Sequence, residues 1–239
     1  MPDPLSRSTH VHVPDGFLDA PTSVATGAVA AAAVAVSLRG ARRELDDRTA
    51  PMAGLVATFV FAAQMINFPV GAGTSGHLMG GALAAVLVGP WTAVLCLSVV
   101  LVVQALLMAD GGITALGTNI TLIGIVTVAV GWAVFVLLRR VLPKRIGMVA
   151  PAAAVAAFVS VPVAALVFTA LFTVGGNISV DLGAVLTAML GWHTVIGIGE
   201  ALITGLVVAS VVATRPDLVH GAGPLLQERE LELRTGVTQ

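Results

Sequence analysis

Charge is what this chain has least of. Only 10% of its 239 residues are Asp, Glu, Lys or Arg, against about 25% in an ordinary soluble domain. Hydrophobic residues make up 57%, and the mean hydropathy is +0.98. One soluble core cannot bury that much apolar surface, so the composition points to a single polytopic membrane domain. The net charge of −1 and the lack of any basic block leave no basis for a nucleic-acid partner. Cysteine is nearly absent. The lone Cys96 excludes an intrachain disulfide and a CxxC metal site, and its place in an apolar run reads as packing. Residues 1–21 lack a basic start followed by an apolar core, so no cleaved signal peptide is expected. There is no GxxxxGK[ST], hence no P-loop, and no HExxH or GxSxG on which an intramembrane metalloprotease or hydrolase would depend. Ten-residue alternation is missing too, which disfavours a membrane barrel.

What is present is a series of long apolar runs. A helix needs about 20 such residues to cross a bilayer, and seven candidates are read at 22–38, 52–68, 75–88, 91–108, 119–138, 148–174 and 182–212. The expected fold is an all-α, seven-helix membrane bundle. It comprises an N-terminal segment 1–21, a transmembrane bundle 22–213 and a tail 214–239. Basic residues set its orientation. Arg39, Arg42, Arg43 and Arg48 follow the first run, Arg139, Arg140, Lys144 and Arg145 the fifth, and Arg215, Arg229 and Arg234 the seventh. With seven spans all of these fall on one face, the cytoplasm. The N-terminus is then outside and the C-terminus inside, in the cell's cytoplasmic membrane.

On that topology the unusual polar residues gather outside. His12 stands in His12-Val13-Pro14-Asp15-Gly16-Phe17-Leu18, and His77 in Gly73-Thr74-Ser75-Gly76-His77. A lone loop histidine is usually solvated or hydrogen-bonded locally. Two on one face, each beside residues that shape the backbone, point to capture of a transition metal, which neutral imidazole suits. His10 could join His12 if the segment is extended, although a loose terminal residue is the plainer reading. Asp15 and Asp110 read as solvated or capping carboxylates that could also attract a divalent cation. His193 and Glu200, seven residues apart, share a face of the last run. Ionisable groups at that depth need partners. The plainer reading is an interhelical hydrogen bond, to Gln64 or Gln104, and the alternative is support of a metal ligand. Gln64 and Asn67, at i and i+3, pose the same choice. The tail's one histidine, His220, reads as solvated. Gly27, Ala31 and Ala35 form a small-residue ridge on the first run, for internal packing or for docking onto a partner subunit.

Taken together, several blocks resemble the substrate-capture subunits of cobalt/nickel energy-coupling-factor transporters, the CbiM/NikM type. They are the His12–Leu18 stretch, Gln64-Met65-Ile66-Asn67-Phe68-Pro69, Gly73-Thr74-Ser75-Gly76-His77-Leu78, Asp110-Gly111-Gly112, Leu116-Gly117-Thr118-Asn119, and Ile196-Gly197-Ile198-Gly199-Glu200-Ala201-Leu202-Ile203-Thr204. The resemblance implies an N-terminus folded into the bundle as a plug. It implies a metal held by four nitrogens, with His12 and His77 as ring ligands. Asn67, Ser75, Asp110, Asn119, His193 and Glu200 are the candidates for support around it. In the family the mature chain begins Met-His, whereas here His12 follows Val11. The full donor set is therefore expected if the chain initiates at Val11, whose codon can be GTG, or is trimmed there, or if His10 replaces the amine. No cofactor is expected beyond the transported metal, Co(II) or Ni(II). The implied partners are a coupling transmembrane subunit, separate ATPase subunits and a small accessory membrane subunit, together with the lipid bilayer around the chain. The alternatives are a stand-alone secondary transporter or channel for divalent transition metals, and a membrane metal sensor. An enzyme is the least expected class.

Overall fold

A computed structural model describes residues 12–47, 49–71 and 74–236 of the chain. Helix α1 (Ala20–Ala41) begins where the Asp19 side chain accepts the Thr22 N–H and Pro21 occupies the first turn, two standard start signals. Helix α2 (Ala50–Gln64) is followed by an antiparallel hairpin, β1 (Asn67–Gly71) and β2 (Thr74–His77), with Asn67 opposite His77. Then come α3 (Gly81–Val88) and α4 (Pro90–Leu107). The next helix is compound. A turn of α-helix, α5 (Leu116–Asn119), runs through a π-helical stretch (Ile120–Val126) into α6 (Thr127–Val141). Helices α7 (Val149–Gly175) and α8 (Leu182–Thr214) pair along their length, and α9 (Gly223–Gly236) ends the described chain.

Five helices are long and apolar enough to cross a membrane: Ala20–Ala41, Pro90–Leu107, Leu116–Val141, Ile146–Gly175 and Leu182–Thr214. Ala50–Gln64 is a shorter apolar helix. The expected second span, 52–68, stops early because Pro69 pushes the residue before it out of the helical region, and 67–71 pair as strand. The expected third span, 75–88, is not one helix. Its first residues belong to β2, Leu78–Gly80 is non-helical, and only the eight residues of α3 are helical, a rise of about 12 Å. All eight are buried.

That broken segment nevertheless runs from one end of the molecule to the other. At its start the His77 ring lies against His12, next to the N-terminal end of α1. At its finish Gly89 abuts Glu44, just past the C-terminal end of α1. Helix crossings use small residues and hydroxyls, as membrane bundles do. A Cβ on Gly117 would strike Gly27 Cα, and the Thr26 and Thr118 hydroxyls meet at 2.8 Å. Of the small-residue ridge on α1, Gly27 therefore packs inward while Ala31 and Ala35 are exposed.

The segment after α8 folds back under the bundle. Val219 and Ala222 are buried, and the His220 ring lies 5.4 Å from that of Trp132. The expectation of a solvated His220 is corrected: the short apolar run around it packs against α6.

Candidate metal centre

Residues 12–19 are strapped across the mouth of the bundle. Asn119, at the end of α5, holds both backbone groups of Val13: its Oδ1 accepts the Val13 N–H at 3.0 Å and its Nδ2 donates to the Val13 carbonyl at 3.2 Å. The Gly112 N–H donates to the same carbonyl. Two residues on, the Asp15 carboxylate accepts the Thr114 N–H and hydroxyl. The hydroxyl contact holds the Asp15 carboxyl below the usual carboxylate range; burial opposes it, and the backbone N–H groups of residues 113–115 add to the lowering. The other end of the strap is tied to the α7–α8 link. Asp19 N–H donates to Gly175 C=O at 2.7 Å, Asn177 N–H donates to Phe17 C=O at 3.0 Å, and Leu18 bridges Gly176. Between these ties the Phe17 ring is buried against Phe168 and Phe172.

This strap lowers His12 onto His77. The two rings are 4.5 Å apart, centre to centre, tilted by 55°, and each residue is only 5% exposed. Gly111 makes room: its φ is +87°, and a Cβ there would lie 2.8 Å from His12 Cβ. The His77 Nδ1 lies 2.7 Å from the Leu78 carbonyl oxygen. Because that oxygen can only accept, Nδ1 carries the proton and Nε2 keeps its lone pair. On His12 neither ring nitrogen has a hydrogen-bond partner, although both are buried; Asp110 Oδ1 is 3.5 Å from Nδ1. Buried polar atoms are normally paired, and leaving one unpaired costs about 1–3 kcal/mol. A neutral imidazole has one lone pair and one N–H, so one nitrogen of each ring is of the kind that suits a transition-metal ion, while the other carries the proton. Among the described residues no group of three or more His, Cys, Asp or Glu side chains is placed to hold a metal ion. A metal ion held here would need further donors of another kind.

The other expected residues are placed as follows. Asp110 faces His12, and Asn119 grips the backbone just after it. Asn67 and Ser75 lie in the hairpin, opposite His77 and Pro69. His193 is buried on α8 and donates to the Met189 carbonyl of its own helix at 2.8 Å, rather than to Gln64 or Gln104. Glu200 does not reach a glutamine side chain either: its two oxygens accept the backbone N–H groups of Met79 and Gly80. Val11 and His10 lie outside the described residues. Thr114 and the Phe17 cluster carry no local sequence signal of their role. Gly111 stood out only as part of a glycine pair, and no local pattern announces that a histidine from far earlier in the chain lies over it.

Comparison with known proteins converges on one family. The family model described as "Cobalt uptake substrate-specific transmembrane region", CbiM, matches residues 12–218. The fused nickel transport protein NikMN of Rhodobacter capsulatus is 35% identical over 240 residues, covering 95% of this chain and 69% of that one. The cobalt transport protein CbiM of Sorangium cellulosum is 41% identical over 133 residues, 54% of this chain and 59% of that one. The crystal structure of a truncated transition metal transporter superposes with a TM-score of 0.77 at 29% identity, covering 85% of this chain and 99% of that one.

Proposed function

The chain belongs to the CbiM family of cobalt-uptake transmembrane proteins, and from that premise we propose that it is the capture subunit of an ATP-driven importer, taking Co(II) or Ni(II) between His12 and His77. The observation that carries this reading is the pair of buried rings 4.5 Å apart in which both His12 nitrogens lack a hydrogen-bond partner. Family membership supplies the transport activity, and the neutral nitrogen donors supply the metal class. The backbone nitrogen of His12 and an amine at Val11 are the further donors in this reading.

The metal enters from outside. The end of the bundle that carries His12, His77 and Asp110 is opposite the end that carries Arg39, Arg42, Arg43, Arg139, Arg140, Lys144, Arg145 and Arg215, and basic residues face the cytoplasm. Counting the broken segment 77–89 as one passage and α2 as another, the chain crosses seven times, with its N-terminal segment outside. Energy comes from partners, since the chain carries no P-loop: ATPase subunits acting through a coupling membrane subunit, with a small accessory membrane subunit. Relatives named as cobalt and nickel transport proteins, one of them a fused protein, support a multicomponent machine.

Equilibrium binding of divalent ions to the purified chain tests the capture step. Ni(II) and Co(II) are expected to bind tightly and to survive a large excess of Mg(II) or Ca(II), which prefer oxygen donors. Binding that favours Mg(II) or Ca(II), or no binding of Ni(II) or Co(II), contradicts the assignment.

A further inference from the structure

Leu78, Met79 and Gly80 are neither strand nor helix, yet they descend into the bundle between β2 and α3. Backbone at that depth needs partners from the protein itself. The partners here are three side chains from three elements. Glu200 of α8 accepts the Met79 N–H at 2.8 Å through Oε2 and the Gly80 N–H at 2.7 Å through Oε1. Gln64 of α2 donates to the Met79 carbonyl at 2.9 Å. His77 itself donates from Nδ1 to the Leu78 carbonyl at 2.7 Å.

Leu78 C=O and Met79 N–H belong to one peptide group, and a peptide group is a rigid plane. Its N–H is fixed by Glu200 and its C=O receives the His77 proton. The next peptide, Met79 C=O with Gly80 N–H, is gripped in the same way by Gln64 and the other Glu200 oxygen. Gly80, at φ +78°, ends the clamp with its backbone against the Val60 side chain. We propose that Glu200 is a positioning residue for the metal site, acting on His77 through the Leu78–Met79 peptide. The arrangement is a carboxylate–peptide–imidazole relay. The carboxylate fixes the peptide plane and polarises it, and the carbonyl then holds the ring as the Nδ1–H tautomer with Nε2 aimed at the metal. Gln64 steadies the second peptide. This rests on the reading of His77 as a metal ligand, but its first consequence does not require metal.

Nitrogen-15 NMR of the metal-free protein with labelled histidine reads the tautomer directly. Wild type is expected to show His77 as the Nδ1–H form, and an Nε2–H signal in wild type overturns the proposal without any variant. In Glu200→Gln one amide oxygen faces two N–H groups, so a mixed His77 tautomer is expected, with Ni(II) affinity down by about 10–100-fold, the usual effect of losing a group that orients a ligand. Thr204→Val, one turn further along α8 and equally buried, controls for general disturbance and is expected to change neither readout. A folded Glu200→Gln protein with the wild-type tautomer and affinity overturns the relay. Metal binding unaffected by His77→Ala would instead overturn the ligand assignment while leaving the apo tautomer result standing.

Discussion

Single residues decide where His12 sits. Asn119 gives Val13 the two backbone hydrogen bonds that a neighbouring strand would give, and Gly111 removes the Cβ that would strike the histidine. Asp15 is the titratable anchor of the strap. Its carboxyl is held below the ordinary range, so its contribution is complete above the unfolded value and is lost as pH falls through the lower, folded one. Protection of residues 12–19 from protease is therefore expected to be flat from about pH 8 to about pH 5 and to fail only below about pH 4. In Asp15→Asn it should be weaker throughout and lack the acid limb; an acid limb that persists in this variant places the titrating group elsewhere. The two histidines were legible in the sequence because polar, backbone-shaping residues surround them. The Asp15–Thr114 contact was not, since nothing local links residues 99 positions apart.

Among the elements, the long apolar runs were readable from composition and length, and their observed ends lie within a few residues of those expected. Elements fixed by distant partners were not readable. The run 75–88 is apolar enough to pass for a helix, but its first half is shaped by Glu200, Gln64 and the hairpin. The strap is the other such element. It holds through hydrogen bonds at both ends and through Phe17 between Phe168 and Phe172. Truncating a buried phenylalanine costs about 3–5 kcal/mol. Phe17→Ala is accordingly expected to free residues 12–19 for proteolysis and to weaken Ni(II) binding, while the thermal unfolding of the bundle changes little. Intact affinity in this variant would mean that the strap does not need its aromatic anchor.

For the molecule as a whole, polarity is divided between two ends: a histidine-bearing mouth at one, arginines and a folded-back tail at the other. Between them Glu200 and Gln64 hold an irregular segment, and His193 bonds back to its own helix. That division fits a subunit that captures a metal ion and relies on others for energy. The sequence showed the division because charge is scarce and clustered, but not the depth of the strap, which depends on residues 112–119, the α7–α8 link and the α7 phenylalanines at once. The most direct test of capture between His12 and His77 is the Ni(II) dissociation constant of the full chain as wild type, His12→Ala, His77→Ala and the double variant, each checked for folding by thermal melt. Each single change is expected to weaken binding beyond the about 10–100-fold typical of losing an outer support. The double variant should lose little more than either, because both rings serve one site. Wild-type affinity in His77→Ala, or losses that simply add, would contradict it.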